Sequence, residues 1–267
     1  MNYRELCGEK VSLLGFGAMR LPPKDPANPW GGGIDKEKAI AIIRKAYESG
    51  VNYFDTAYVY GGGESEKIVG EALSIYPRDS YYIATKFPGL HPPKEGWNME
   101  NVKATFDEQL EKLGVDYVDF YLLHGLMESD YHLYSDPNVP LADYFHSLKE
   151  EGKIRHFGFS SHSKPDLLEK ILHWKDYFEF CQIQLNYLDW TLQDAKKQYE
   201  ILEKAGLPVI VMEPVRGGRL ADLGEESNAV LKAAKPDDSI ASWAMNFAAS
   251  HDAVKVVLSG MNNDEVL

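Results

Sequence analysis

A junction that recurs four times is the feature of this sequence that most limits the folds it can adopt. At each junction a charged segment with helical periodicity ends in a glycine and an apolar run follows directly; the glycines are Gly50, Gly114, Gly152 and Gly206. Glycine takes the left-handed conformation just past a helix end with little strain. The runs that follow are rich in valine, isoleucine, tyrosine and phenylalanine, which favour strands. The repetition predicts α/β units in series and a parallel sheet.

Eight apolar runs are predicted as strands, and helical patterns separate most of them. The runs span residues 13–16, 51–54, 81–85, 118–123, 154–159, 180–184, 209–212 and 254–258. Eight α/β units in about 250 residues match the size of a (β/α)8 TIM barrel. The alternative is a doubly wound sheet, which usually carries a glycine fingerprint after its first strand. Here that strand leads into GFGAMR, Gly15–Arg20, which lacks the third glycine and continues into a proline-rich loop.

The predicted helices and loops complete this plan. Helices are expected over 36–49 with Asp35 as N-cap, over a segment capped by Ser65, and over 99–113, 142–151, 164–173, 193–205 and 239–250. Long loops over 21–33 and 126–140 follow strands and should lie on one rim. Trp30, Trp97 and Tyr134 either wall a pocket on that rim or pack beneath the loops. We expect one barrel domain over residues 1–267, with a β-hairpin over 2–12 that plugs its floor.

Composition excludes several classes of function. With 28 Lys and Arg against 41 Asp and Glu, the formal net charge is −13, whereas sequence-independent binding to nucleic acid requires a basic surface. Cys7 and Cys181 are too few for a disulfide framework, which fits a reducing cytoplasm. No apolar run approaches the ~18 residues of a membrane span, and the first residues lack the apolar core of a signal peptide. We therefore expect a cytoplasmic protein whose partner is a small molecule.

Ionisable side chains follow three consecutive predicted strands. Asp55 and Tyr60 come after the second strand, Lys86 after the third and His124 after the fourth. Further polar residues follow the later strands: Ser160, Ser161, Gln184, Asn186, Glu213 and Ser259. In a parallel barrel the carboxyl ends of all strands share one face, so these side chains should converge. Alone, each has an ordinary explanation as a solvated lysine, a capped histidine or a turn-forming aspartate, but together they predict an active site.

The chemistry of this set suits proton transfer to a carbonyl oxygen. The pKa of an unperturbed tyrosine is about 10, and a neighbouring ammonium such as Lys86 should lower it. Asp55 would keep Lys86 charged, and Tyr60 would donate a proton as a hydride arrives at the carbonyl carbon. His124 would hydrogen-bond the same oxygen and position it.

Two hydrolytic alternatives fit the rim less well. A metal-dependent hydrolase would need several histidines or carboxylates around one ion, and Lys86 is an awkward neighbour for Asp55, His124 and Glu213. We therefore predict no metal site. A serine hydrolase would need the G-x-S-x-G turn, which GFSSH (residues 158–162) does not match.

Eight segments together resemble the aldo-keto reductase family over nearly the whole chain. They span 15–22, 50–73, 83–88, 115–124, 152–161, 182–187, 211–220 and 256–261. The resemblance implies a (β/α)8 barrel that couples NADPH or NADH to the interconversion of a carbonyl and an alcohol. It also implies that Asp55, Tyr60, Lys86 and His124 are the catalytic residues, with Tyr60 as the acid and base. A cofactor-sensing regulatory or binding subunit on the same barrel is the alternative function.

The resemblance also implies a set of cofactor-binding residues. These are Ala18, Met19, Ser160, Gln182, Met212, Glu213, Pro214, Val215, Gly217, Leu220, Ser259, Gly260 and Met261. Ser160 and Gln182 match the positions that bind the nicotinamide carboxamide, whereas Ser161 stands where the family has asparagine and Met212 where it often has an aromatic residue. The family favours NADPH, but residues 258–265 contain no Lys or Arg to bind a 2′-phosphate, so the choice between NADPH and NADH stays open.

Two segments, 211–218 and 258–263, resemble a bacterial and archaeal branch of the family whose longer members continue into a cysteine-rich iron–sulfur tail. Cys7 and Cys181 cannot form a four-cysteine site, so we expect no cluster in these residues. Residues 262–267 predict the first turn of a helix that would continue past Leu267.

Overall fold

The computed structural model describes residues 1–28 and 31–263. It opens with the predicted β-hairpin, formed by β1 (Tyr3–Leu6) and β2 (Glu9–Ser12) in antiparallel register. The two turn residues, Cys7 and Gly8, have φ angles of 53° and 88°, as expected for a two-residue hairpin turn. Leu6 and Val11 are fully buried against side chains of the barrel interior. The hairpin therefore closes the barrel floor, as the sequence predicted.

Eight parallel strands form a closed barrel after the hairpin. They are β3 (Leu14–Gly17), β4 (Tyr53–Asp55), β5 (Tyr82–Phe87), β6 (Val118–Leu126), β7 (Ile154–Ser161), β8 (Phe180–Gln184), β9 (Val209–Met212) and β10 (Val254–Ser259). Each pairs with the next in the chain, and β10 closes the barrel by pairing with β3. The (β/α)8 prediction is confirmed, and the strand bounds agree within two residues except at the end of β6, which continues three residues further through His124 and Gly125 to Leu126.

The helices connect the strands. They are α1 (Lys36–Glu48), α2 (Ser65–Leu73), α3 (Met99–Leu113), α4 (Tyr131–Tyr134), α5 (Leu141–Glu150), α6 (Pro165–Ile171), α7 (Asp189–Leu192), α8 (Ala195–Ala205), α9 (Glu225–Ala234) and α10 (Ile240–Ala249). Asp35 caps α1 by accepting from the Lys38 amide, as predicted. The four glycines of the recurring junctions all have positive φ, which confirms the pattern that predicted the fold.

Some local predictions were wrong. Ser65 is not an N-cap: it is the first residue of α2, and its hydroxyl is buried, where it donates to the Ala18 carbonyl and bonds Thr56. The helix expected over 193–205 begins at Ala195 as α8, because Asp194 adopts a left-handed φ of 53°. The short helix α7 before it was not predicted. The predicted loop over 126–140 contains α4, and α9 was not predicted.

The described residues include no helix that combines the length and the apolar character needed to cross a membrane. Of the three aromatic residues expected at the rim, Trp97 donates to the Gly89 carbonyl and packs on Phe87. Tyr134 is buried beneath the loop that carries it. Both therefore pack under loops. Trp30 and residues 264–267, where the start of a last helix was expected, lie outside the described residues.

Candidate active site

Tyr60 is held by a glycine turn immediately after it. Residues Tyr60–Gly63 form a kinked turn, in which Gly61 and Gly62 have left-handed φ angles of 60° and 68°. Residues with a side chain rarely adopt such angles. A Cβ on Gly61 would also lie 2.2 Å from the Ile34 side chain. The glycines that follow Tyr60 are therefore needed to turn the chain from the barrel mouth into α2.

Lys86 and Asp55 form a buried ion pair on neighbouring strands. Lys86 Nζ donates to Asp55 Oδ1 at 2.7 Å and to the Thr56 carbonyl at 2.6 Å, and both side chains are almost fully buried. Burial alone would lower the pKa of Lys86, but the charge of Asp55 and the interaction with Tyr60 raise it. Burial raises the pKa of Asp55, and Lys86 opposes that rise. Lys86 is therefore a fixed cation inside the barrel mouth.

Tyr60 and His124 lie near this cation and next to each other. Lys86 Nζ is 4.9 Å from the centre of the Tyr60 ring, and the Tyr60 and His124 rings are 5.7 Å apart, nearly perpendicular. The four predicted catalytic residues are thus close together. Tyr134 fixes the strand end by donating a hydrogen bond to the His124 carbonyl.

The pKa of Tyr60 differs from the prediction, and the pKa of His124 is also shifted. Burial raises the pKa of Tyr60, and Lys86 offsets this only partly, so the expected net lowering is wrong because desolvation of the phenol outweighs the cation. The pKa of His124 lies well below its usual 6.5 because of burial and then the charge of Lys86. Near neutrality Tyr60 is therefore a phenol that can donate a proton, and His124 is a neutral imidazole.

Ser160 and Gln182 lie side by side on β7 and β8, where their Cα atoms are register partners. Ser160 Oγ accepts from the Gly125 amide at 2.8 Å, which leaves its hydroxyl hydrogen to donate. Gln182 Nε2 contacts the Met212 sulfur at 3.7 Å, while the buried Gln182 Oε1 has no partner among the described residues. A buried amide oxygen without a donor is costly. A primary carboxamide supplies the missing N–H and an oxygen for Ser160, so this pair fits a nicotinamide.

Three loops expected at the cofactor meet at Arg20. Its guanidinium donates to the Gly217 carbonyl at 3.1 Å and lies 3.7 Å from Glu213 Oε1. A Cβ on Gly260 would lie 3.8 Å from Arg20 Cβ, and one on Gly17 3.5 Å from the Ser259 carbonyl. The segments 17–20, 213–220 and 259–261 therefore lie together at the barrel mouth.

The predicted cofactor residues do not all present side chains there. Met19 is exposed, whereas Ala18, Leu220 and Met261 are buried. The Val215 carbonyl accepts from the Gly218 and Leu220 amides. These buried side chains pack inside the protein beneath the loops. Only the backbone atoms of these residues can therefore contact a ligand. No contact of Pro214 among the described residues indicates how it would bind the cofactor.

Asp189 is a rim residue that the sequence reasoning missed. Its side chain is fully buried, and its Oδ2 accepts from Asn186 Nδ2 at 2.6 Å and Gln184 Nε2 at 2.8 Å. Arg216 Nε lies 3.4 Å from the same oxygen, and Asn186 Nδ2 also donates to the Glu213 carbonyl. Asp189 thus anchors the 213–220 loop, in which Glu213 and Arg216 adopt φ angles of 54° and 49°. The sequence feature that could have indicated Asp189 is its position three residues after Asn186, a spacing typical of a capping turn.

Comparison with known proteins gives consistent results. A profile of the Aldo/keto reductase family matches residues 13–267. L-galactose dehydrogenase of Arabidopsis thaliana is 29% identical over 96% of this chain and 82% of its own length. Probable aldo-keto reductase 1 of Glycine max is 29% identical over 83% of this chain, and the match spans 61% of its length. The holo structure of an aldo-keto reductase from Bacillus halodurans superposes with a TM-score of 0.78, at 29% identity, covering 100% of this chain and 88% of that one.

Proposed function

This chain belongs to the aldo/keto reductase family of NAD(P)H-dependent oxidoreductases, and on that premise we propose that it reduces a small-molecule carbonyl with Tyr60 as the proton donor. The observation that supports this role is the buried Asp55–Lys86 pair, whose ammonium lies 4.9 Å from the Tyr60 ring. Such a cation stabilises the phenolate that forms when the proton leaves.

The residues act in a definite order. When bound, the nicotinamide supplies the hydride for the carbonyl carbon, and Ser160 and Gln182 would hold its carboxamide. Tyr60, protonated at neutral pH, donates its phenolic proton to the carbonyl oxygen, and Lys86 stabilises the resulting phenolate. Asp55 and the Thr56 carbonyl keep the ammonium in place throughout. The neutral imidazole of His124 hydrogen-bonds the same oxygen and orients it toward Tyr60.

Tyr60→Phe tests this assignment, and the same segment offers a matched control. Tyr58 is two residues away, but its hydroxyl donates to Glu108 on the outer surface. Loss of a positioned general acid lowers kcat by about 10²–10⁴-fold, so we expect that loss in Tyr60→Phe and none in Tyr58→Phe. The dissociation constants of NADPH and NADH, measured by fluorescence, should be unchanged in both variants.

Three outcomes separate the alternatives. Wild-type turnover of a carbonyl panel by Tyr60→Phe would refute the role of Tyr60. Binding of a nicotinamide without turnover of any carbonyl by the wild-type protein would favour the cofactor-sensing subunit. Comparison of kcat/KM with NADPH and with NADH decides between the two cofactors.

A further inference from the structure

Three side chains with metal-ligating atoms meet on the barrel floor, at the opposite end of the strands from Tyr60. Cys7 lies in the turn of the hairpin, His156 near the start of β7 and Glu179 directly before β8. One ligand atom from each lies within 4.8 Å of the others. All three residues are partly buried. The set combines a thiol, an imidazole and a carboxylate, which are the ligands that Zn²⁺ prefers.

Glu179 is anchored through one carboxylate oxygen, while the other faces His156. Its Oε2 forms an ion pair with Lys149 at 2.6 Å and accepts from the Phe157 amide at 3.2 Å. Its Oε1 faces His156 Nδ1 at 3.1 Å. Glu179 is therefore anchored through Oε2, with Oε1 directed at the cluster.

His156 is oriented from two sides. Its ring stacks on Phe120 with centroids 5.0 Å apart and an interplanar angle of 28°. Its Nε2 lies 3.8 Å from Glu9 Oε1, and the Glu9 carboxylate is itself held by Tyr82 and Arg155. A carboxylate near the second ring nitrogen is the usual environment of a metal-bound histidine, because it fixes the ring and raises its basicity.

Cys7 completes the set from the hairpin. Its Sγ lies 3.5 Å from the Glu179 carbonyl. A metal bound here displaces the thiol proton, as metals do at thiolate sites. An open cleft of about 530 Å³ is lined by Cys7 and Glu179. It provides an entry path and room for a water as the fourth ligand.

We propose that Cys7 Sγ, His156 Nδ1 and Glu179 Oε1 bind one Zn²⁺ on the barrel floor, with water from the cleft as the fourth ligand. Calcium and magnesium prefer oxygen ligands only, so the thiol and imidazole select against them. A bound ion would link the hairpin to β7 and β8, segments that are more than a hundred residues apart in sequence. Because the unfolded chain lacks this arrangement, binding stabilises the folded state.

The proposal is independent of the reductase function. His156 and Ser160 are four residues apart on the same strand, so the two sites are separated by about 13 Å at ~3.3 Å per residue. Zinc binding and hydride transfer can therefore be tested separately, and failure of one leaves the other unaffected.

The first test is calorimetric titration of the whole protein with ZnCl₂. The second is titration with CoCl₂, followed by absorption, because Co²⁺ bound by a thiolate gives a characteristic near-ultraviolet charge-transfer band. We expect one ion per chain, a rise in Tm with Zn²⁺, and the thiolate band with Co²⁺. His156→Gln should weaken Zn²⁺ binding at least about tenfold, since even residues that only orient a ligand contribute that much.

Cys7→Gly is the sharpest variant because it removes the thiol at a position where glycine suits the backbone. Cys7 has a φ of 53°, so glycine relieves strain and the metal-free protein should fold. We expect loss of the thiolate band and of the Tm response to Zn²⁺. Cys181→Ala, at the fully buried thiol in β8, is the control and should bind Zn²⁺ as the wild type does. No saturable binding by the wild type, or equal binding by Cys7→Gly, would overturn the proposal.

Discussion

Replacing Lys86 with methionine tests whether the buried ammonium stabilises both the barrel mouth and the phenolate of Tyr60. Methionine keeps most of the apolar stem but removes the charge and the N–H donors. Asp55 then loses its partner at 2.7 Å. Its Oδ2 already has no partner among the described residues, so the variant leaves a carboxylate with both oxygens bare inside the protein.

Two magnitudes follow from this geometry. Removing one member of a buried ion pair lowers the free energy of unfolding by about 3–5 kcal/mol, because the other charge is left uncompensated. Lys86 Nζ lies 4.9 Å from the Tyr60 ring centre. At that distance and an effective dielectric constant of about 20, the ammonium stabilises the phenolate by about 3.4 kcal/mol, a factor of ~300 in rate if the charge is fully formed.

The double variant Asp55→Asn/Lys86→Met separates these effects. A neutral amide replaces the bare carboxylate, so most of the lost free energy of unfolding should return. kcat should stay well below wild type, although by less than about 300-fold, because Asp55→Asn also removes a charge that disfavours the phenolate. In the single variant, burial keeps the pKa of Asp55 raised above its unfolded value. The folded state therefore holds a proton that the unfolded state has released, and stability should decrease as the pH rises from about 4. Urea unfolding at pH 5 and pH 8 measures this slope.

A second lysine provides the matched control. Lys112 Nζ lies 2.7 Å from Glu108 Oε1 and 3.8 Å from the centre of the Tyr58 ring, but the Glu108 carboxylate is exposed to solvent. Lys112→Met should lower the free energy of unfolding by about 1 kcal/mol or less and leave kcat unchanged. A double variant at Asp55 and Lys86 that reduces carbonyls at the wild-type rate would refute the reasoning.

Two further predictions concern stability. A Cβ on Gly70 would lie 2.1 Å from the Leu113 carbonyl oxygen, where α2 contacts α3. Gly70→Ala should therefore lower the free energy of unfolding, measured in urea, by about 1–3 kcal/mol or more. An unchanged urea midpoint would contradict this close packing. The pKa of His124 is depressed in the fold, so the unfolded state gains its proton first as the pH falls below about 6.5 and stability declines. His124→Asn should reduce that decline in urea midpoints between pH 7.5 and 5.5, whereas the same change at exposed His132 should not.

The fold could be predicted because its signals are local. A glycine past each helix end and an apolar run after it predicted the order of elements, and the parallel barrel then placed Asp55, Lys86 and His124 on three adjacent strands. Ser65 shows where local reasoning fails, because its hydroxyl bonds the Ala18 carbonyl 47 residues away. Contacts of that kind have no signature at either position.

The sequence predicted which residues form the site better than it predicted their pKa values. The direction of the Tyr60 pKa depends on how much water the folded barrel excludes, which no spacing of residues reveals. The floor cluster is a further case: the sequence predicted no metal site, because Cys7 and Glu179 are 172 residues apart and neither position carries a signal of the other. Only the closed barrel brings them together.

The pairing of β10 with β3 also has a consequence for the nascent chain. Leu14 pairs with Val257, so the first barrel strand emerges from the ribosome long before its last neighbour exists. At about 5–20 residues per second, the interval is roughly 12–50 s. Asp55, Lys86 and His124 are translated early, whereas Gln182, Glu213 and Ser259 come late. The residues proposed to transfer the proton are therefore translated before those proposed to hold the nicotinamide, and the barrel can close only after β10 has emerged.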